Sequence, residues 1–531
     1  MSFINKIDRY MDKHYKGVSS VGFICAGIIV VLFYILVCGK TELHADCMDT
    51  IMWANATFES GSLFNSDFEY ACLLPFGGQL LMLPFLFIFG LSYKVHIIGM
   101  LLFLAIFTAA LIYMLRGMEL SWFKTGSIVF AVLMMTCSSA KLREIFWGHI
   151  IYYSLGIMFL FVGMGLAVRL IKQDKLKFNI MYVILFIWTM LCAMDGIQAV
   201  TIYILPLCAA IAGYIAFDFN EPIISEKNKL RLVNTGILLL AMIIGMVIMH
   251  FLSDGIPQKY ANAYSNFNSK DKWFENLSTL LSCHYTLLGV DVDSSVPIMS
   301  FKGVINILRI IFATIVAAAP FFGIAFYTKI KNNYVKMFVI LYFAVFFLIM
   351  IGWVFGKISG VNWRLTPIEI IGFILTILLI FELCSAGIYQ RLGFAVLIPI
   401  IIYCFISVSN VFGISSDYEN ENKIFKEISL LEENGCTYGY ATFWNANPVT
   451  VLTDNKIKVR SADVENGEMV FRNYQSDKSW YSGVTEPDEK YFILLTEGEY
   501  KNFNVNKYPV ERIVSKDNFV LIILNENIVF K

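Results

Sequence analysis

Positive charge is missing from one long stretch of this chain. After Lys40 no Lys or Arg occurs before Lys94, while Glu42, Asp46, Asp49, Glu59, Asp67 and Glu69 all lie inside the gap. Charge of either sign is scarce, at 15% of 531 residues, and Lys+Arg and Asp+Glu are equal at 41 each. Such a balance leaves no electrostatic footprint for nucleic acid, so no nucleic-acid partner is expected. No CxxC or HExxH spacing occurs among the 11 Cys and 6 His, which gives a dedicated zinc site no support. Cys25, Cys38, Cys137, Cys192, Cys208, Cys384 and Cys404 fall in or beside apolar runs, where Cys is a small apolar residue. Cys47, Cys72, Cys283 and Cys436 remain, and a Cys47–Cys72 bridge would brace the acidic stretch. There is no internal repeat, which weakens a transporter built from inverted repeats.

What is abundant is apolar surface. Hydrophobic residues make up 58% of the chain and the mean hydropathy is +0.66. Soluble domains use about 45–50% apolar residues, so this is a polytopic membrane protein. Residues 18–38 carry no charge and match the length that spans a hydrocarbon core. Lys6, Arg9, Lys13 and Lys16 precede them, which places the N-terminus in the cytoplasm and the acidic stretch outside. The run is too long, and lacks a small-x-small site after it, for a cleaved signal peptide.

Further apolar runs read at 76–90, 95–115, 125–140, 150–170, 180–194, 197–217, 232–252, 303–328, 337–356, 366–385 and 392–412. Cytoplasmic anchors are expected at Lys172, Lys175 and Lys177, at Lys227, Lys229 and Arg231, at Lys329, Lys331 and Lys336, and at Arg391. These agree with an inside N-terminus only if one early run does not cross. Residues 76–90 are short, follow Pro75 and contain Pro84, so they read as a helix at the membrane surface. About eleven spans remain. Arg116 and Lys124 then fall inside; 141–149, Asp195, 253–302, 357–364 and everything after 413 fall outside.

From residue 415 the composition changes to charges every few residues. Tyr418 to Leu431 reads as an amphipathic helix, and Val449 to Leu452, Tyr491 to Leu495 and Asn518 to Leu524 read as strands. The tail is expected to be a small α+β domain.

An acidic, aromatic outer loop suits proton abstraction from an acceptor, or a divalent cation that neutralises a leaving phosphate. Asp46 and Asp49 are three apart and share a face of any helix they form. The plain alternative is a solvated loop, which fits Glu59 and Glu69 better than Asp46 and Asp49.

The residues His44-Ala45-Asp46, Asp49, Trp53-Ala54, Ser60-Gly61, Asp67-Phe68 and Leu74-Pro75-Phe76-Gly77-Gly78 resemble the first outer loop of the GT-C glycosyltransferases. The similarity is to bacterial members near the protein mannosyltransferases and the lipid A aminoarabinose transferases. It implies an all-α polytopic membrane protein of about eleven transmembrane helices with a C-terminal extracytoplasmic α+β domain. The corresponding divisions are a cytoplasmic 1–17, a transmembrane domain 18–412 with outer loops at 39–94 and 253–302, and a tail domain 413–531. The resemblance further implies a plasma-membrane enzyme that moves a sugar from a polyprenyl-phosphate to a glycan, lipid or protein acceptor. An early Asp of the first outer loop is catalytic in these families, followed by a Pro-led juxtamembrane helix. Relatives often show an adjacent Asp-Glu pair and a paired proline, whereas here Asp46 is followed by Cys47 and only Pro75 is present. The catalytic acid is therefore Asp46 or Asp49.

In the second outer loop, related oligosaccharyltransferases place a metal-binding acid. Glu144 could join Asp49 in holding Mg²⁺ or Mn²⁺, or could pair with Arg143 as an interfacial anchor beside Trp147 and His149. Asp195 interrupts an apolar stretch as a functional acid or a helix cap. Arg364 with Lys357 would grip the donor phosphate, or Arg364 would snorkel to headgroups. Trp444, Tyr438, Tyr440 and Trp480 are candidates for stacking on sugars. Two other classes remain open: a transporter or lipid flippase, for which the spans are poor in charge apart from Arg309, Glu369 and Glu382, and a non-catalytic protein of envelope assembly.

Overall fold

The computed structural model describes residues 3–15, 17–150, 152–173, 177, 179–217, 222, 225–260, 264, 266–291, 295–385 and 390–530, with the side chains of 3–5, 384 and 385 outside that description. Lys175 and the side chain of Cys384 therefore lie outside it. Nine described helices are long and apolar enough to cross a membrane: Val18–Thr41, Tyr93–Gly117, Tyr153–Ile171, Ile197–Phe217, Glu226–Leu252, Phe301–Ala325, Asn333–Val354, Asn362–Leu383 and Gln390–Phe412. A tenth is reached if Trp122–Thr136 and Ala140–Gly148, bent by 110° against each other, count as one broken span. The expected eleventh, Ile180–Met194, has 15 residues and is short for a crossing. It packs tightly on Glu226–Leu252: a Cβ on Gly245 would stand 2.3 Å from the Met190 carbonyl oxygen, so only glycine admits this approach. The chain is a multi-pass membrane protein.

Residues 76–90 hold a short helix rather than a full-length span. Gln79–Phe89 is an 11-residue helix containing Pro84 and ending at Gly90, whose φ is 61°.

Polar segments gather at two poles of the bundle. At one, Asp8 pairs with Lys124 (3.5 Å), Glu119 with Lys172 (2.9 Å), and Glu382 accepts from the backbone of Lys331 and Asn332. At the other, Thr50 Oγ1 donates to the His149 carbonyl, Phe76 N to Asp195, Ser139 Oγ to the Leu287 carbonyl, and the Tyr70 strand bonds to 257–259. The acidic loop, 139–149, Asp195, 253–302 and 357–364 thus share one pole, as the span count required.

The tail domain stacks on that pole. It holds β1 (Tyr438–Ala441), β2 (Lys458–Ser461), β3 (Asp463–Glu465), β4 (Glu468–Val470), β5 (Tyr491–Thr496), β6 (Val510–Lys516) and β7 (Phe519–Leu524). The main sheet runs β2-β1-β5-β7-β6, with β1 parallel to β2 and β5, and β7 antiparallel to β5 and β6. β5 and β7 lie centrally and are almost wholly buried, which is why they read as unbroken apolar runs. Two expectations change. Val449 to Leu452 is the end of a helix, Phe443–Leu452, because parallel β1 and β2 need a crossover between them, and a four-residue apolar run alone cannot tell strand from buried helix. The single helix from Tyr418 splits into Tyr418–Glu421 and Lys423–Glu433 at Asn422. Asn422 caps the second piece and donates from Nδ2 to the carbonyls of Lys40 (2.8 Å) and Leu43 (2.9 Å), tying the tail to the acidic loop.

Candidate active site

The acidic loop leaves the first span through a wide turn, Tyr34–Cys38, and a short turn, Gly39–Thr41. Ala45–Met48 then makes one tight turn that runs into the helix Asp49–Ser60, closed by Gly61 in the left-handed region. This winding brings Asp46 and Asp49 close enough to repel each other. Asp46 is half-buried; Asp49 is 3% exposed. Asp49 Oδ2 lies 3.4 Å from His149 Nε2, while its Oδ1 is buried with no hydrogen-bond partner. Burial pushes the Asp49 carboxyl up to about 6, opposed by the His149 ring and reinforced by Asp46.

The tail domain completes this corner. The Gln475 backbone N–H donates to the Glu69 carbonyl (2.7 Å), Glu69 N–H to Ser476 (2.8 Å), and Lys478 N–H to Asp67 (2.9 Å). Gln475, with φ 53°, is buried, and its Oε1 accepts the Trp53 indole N–H at 2.7 Å, while its Nε2 has no acceptor that satisfies it. The same side chain lies within hydrogen-bonding reach of the Asp49 carboxylate and opposes the upward shift of its pKa.

Aromatic rings bridge from these acids to the cations. Tyr260 lies 5.5 Å from Tyr474 and 5.9 Å from Tyr264 between ring centroids. Tyr260 sits in the fields of Arg472, Asp46 and Arg364, and Tyr474 in those of Asp49, Asp46 and Arg472. Arg364 stacks over Tyr264 at 4.4 Å and donates to the Lys357 carbonyl at 3.1 Å. The side chain of Lys357 is exposed. Arg472 stacks on Phe443 and Tyr474 and pairs with Asp463. Asp46, Asp49, His149 and Arg364 are therefore brought to one aromatic-walled corner.

The other predicted residues turn elsewhere. Glu144 bonds to Lys141 (2.5 Å) and His44 Nε2 (3.2 Å); although burial opposes it, these partners hold its carboxyl down to about 2. Lys141 in turn sits 4.6 Å over the Trp363 ring. Arg143 is consumed by Glu42, at 2.8 and 2.5 Å, and by the Cys137 carbonyl. Asp195 accepts from Phe76 N–H at 2.7 Å, is 5% exposed, and is pushed up to about 8 by that burial. Its other oxygen, Oδ2, is buried without a partner, and Cys72 lies in the fields of both Asp195 and Asp49. Cys47 and Cys72 are both free thiols, so no bridge braces the loop. Tyr438 and Tyr440 donate to the Trp480 carbonyl inside the tail domain, and Trp444 alone of the four aromatics is exposed, 6.2 Å from the His44 ring. Among the described residues, no group of three or more His, Cys, Asp or Glu is placed to hold a metal ion.

Gln475, Tyr474, Arg472 and Tyr260 were not foreseen. Trp53 and Gln475 are 422 residues apart, and the only trace in the chain is the polar run Arg472 to Asp477, without the apolar alternation of a strand.

No family model matches the chain, and no curated protein matches it by sequence. Solved structures do. ArnT from Cupriavidus metallidurans in the apo state superposes with a TM-score of 0.51 at 10% identity, over 95% of this chain and 97% of that one. The Archaeoglobus fulgidus oligosaccharyltransferase with Zn and sulfate gives 0.46 at 11% identity, over 95% and 73%. AglB from the same organism, with an inhibitory peptide and a dolichol-phosphate, gives 0.47 at 12% identity, over 92% and 70%. At 10% identity the likeness shows the fold alone: the helical membrane domain and the α+β domain after it superpose on ArnT over nearly the whole of both chains.

Proposed function

We propose that this chain is a membrane glycosyltransferase that takes a sugar from a polyprenyl-phosphate and gives it to an acceptor at the outer face of the plasma membrane, with the N-terminus in the cytoplasm. The observation that carries the reading is the corner where Asp46 lies beside Asp49, Asp49 meets His149, and Tyr260 lies between the charges of Asp46 and Arg364. A buried acid beside a half-buried one, with a guanidinium across aromatic rings, suits glycosyl transfer from a phosphate.

In this reading Asp46 takes the proton of the acceptor nucleophile, whose lone pair attacks the anomeric carbon. The bond from that carbon to the phosphate oxygen breaks, and its electron pair leaves on the polyprenyl phosphate. Arg364, joined by Lys357, holds the phosphate; preorganised positive charge there is the largest catalytic contribution. Asp49, fixed by His149 and flanked by Gln475, holds the geometry of Asp46. Mg²⁺ or Mn²⁺ would find ligands in Asp46 and in Asp49, whose Oδ1 makes no well-formed hydrogen bond although the Gln475 amide is near. Hard divalent cations accept one or two carboxylates plus water and phosphate oxygens. When bound, the cation would neutralise charge on the leaving phosphate. Glu144, taken by Lys141 and His44, would support it only from the side. The tail domain, 413–531, would meet the acceptor, with Trp444 the exposed ring for stacking.

The test is direct. Purified protein in lipid nanodiscs, offered a panel of labelled polyprenyl-phosphate sugars, releases or transfers label from at least one of them. Folded protein inert toward the whole panel, with and without added Mg²⁺ or Mn²⁺, would contradict the proposal.

A further inference from the structure

A second polar pocket lies away from this corner. It has a volume of about 440 Å³ and is lined by Ser139, Arg143, Arg309, Ser409 and Asn410. Asp46, Asp49 and Arg364 take no part in it.

Its charge is unbalanced. Arg143 is answered by Glu42, as above, yet it still repels Arg309. Arg309 donates from Nη1 to the Gly289 carbonyl at 2.7 Å, and its Nε is buried without a partner. Among the described residues no carboxylate forms an ion pair with it; Asp291, whose charge reaches it, is paired with Lys302 at 2.6 Å. The surroundings are apolar and outward-facing: Ile307, Ile310 and Ile311 beside Arg309, and Phe405 and Phe412 on the helix that carries Ser409, are 41–70% exposed. A guanidinium in such a belt is costly unless an anion meets it.

We propose that this pocket binds the phosphate of an anionic membrane lipid, held by the Arg309 fork with hydroxyl and amide groups of Ser409 and Asn410 around it. Guanidinium geometry matches a phosphate diester in two parallel bonds, and the exposed isoleucines and phenylalanines receive the acyl chains. The site does not depend on the reaction proposed above, and fails or stands separately from it.

Native mass spectrometry of the detergent-purified full chain, offered phosphatidylglycerol or phosphatidylcholine, reads it. Wild type should retain one phosphatidylglycerol with about tenfold preference over phosphatidylcholine, a step of one order in Kd. Arg309→Gln should lose that preference and Arg309→Lys keep part of it. Ser409→Leu, which fills the pocket without touching the charge, should also lose it, and covers the case in which Arg309→Gln does not fold. Arg364→Gln should leave it intact. Unchanged retention in both Arg309→Gln and Ser409→Leu overturns the site. Loss in Arg364→Gln would assign the lipid to the catalytic corner instead, and displacement by equimolar inorganic phosphate would show a soluble-anion site; either result overturns the proposal.

Discussion

The two poles of the bundle treat charge in opposite ways. At the pole of Asp8 and Glu119, each acid has a nearby cation or backbone donor, and the Glu119–Lys172 pair is largely exposed. At the acidic-loop pole, Asp49, His149, Gln475 and Asp195 carry buried polar atoms that the fold leaves without satisfied hydrogen bonds. Each unmet buried group costs about 1–3 kcal/mol. Ser20 and Asn234 leave such atoms toward the other pole as well, so what sets the acidic-loop pole apart is that its unmet atoms include those of two carboxylates and a histidine.

The sharpest way to break this contrast is to neutralise one acid at each pole. Asp46→Asn should lower transfer by about 10²–10⁴-fold, the usual weight of a general base. Glu119→Gln should stay within about twofold, because exposed ion pairs contribute about 0–1 kcal/mol. Equal losses would erase the distinction.

Stability should divide along the same line. Arg143→Met leaves Glu42 half-buried without its partner, and breaking such a pair costs about 3 kcal/mol, the low end of the range for buried pairs because Glu42 is 23% exposed. Lys172→Met should cost under about 1 kcal/mol. Denaturant unfolding of the two variants in one detergent measures both. Gln475→Ala should cost about 1–3 kcal/mol by orphaning the Trp53 indole N–H, and should also slow transfer, which a purely structural tether would not do.

Acidity gives the finest comparison, between two buried acids of the same pole. Both folded values lie above the ordinary 3.8, so each stabilises the fold at low pH and loses that contribution as pH rises, through about 6 for Asp49 and about 8 for Asp195. Activity runs the other way for Asp49: a rate limb rising through about pH 6 should appear and vanish from the residual rate of Asp49→Asn. Asp195→Asn should leave the rate unchanged and raise the unfolding temperature relative to wild type above about pH 8. A shifted rate profile in Asp195→Asn would place that residue in the reaction.

Much of this was legible in the chain because apolar length and charge placement act locally. Pro84 and shortness marked residues 76–90 as less than a full span, and the helix there has 11 residues; the lysine clusters indicated which loops share a pole. Ile180–Met194 read as a crossing from its composition, and it joins the pole of Lys172 to the pole of Asp195 although its 15 residues are few; its seat against Gly245 belongs to packing, which hydropathy does not record. The acids of the corner were visible as an excess of carboxylate after the first span. Their partners were not: Gln475 and Arg472 reach Asp49's surroundings through a tail loop whose approach is set by three backbone bonds to Asp67 and Glu69, and no periodicity announces such a contact. Arg143 showed the converse, a residue of catalytic type whose guanidinium is consumed by Glu42.

The central claim is that Asp46 and Asp49 belong to a glycosyl-transferring site rather than to a polar plug. Single-turnover release of labelled sugar from a polyprenyl-phosphate donor, measured on nanodisc-embedded wild type, Asp46→Asn and Asp49→Asn with unfolding temperatures matched, tests it most directly. The account predicts release by wild type and a loss of about 10²-fold or more in Asp46→Asn, with Asp49→Asn also impaired. Wild-type rates in both variants would contradict it.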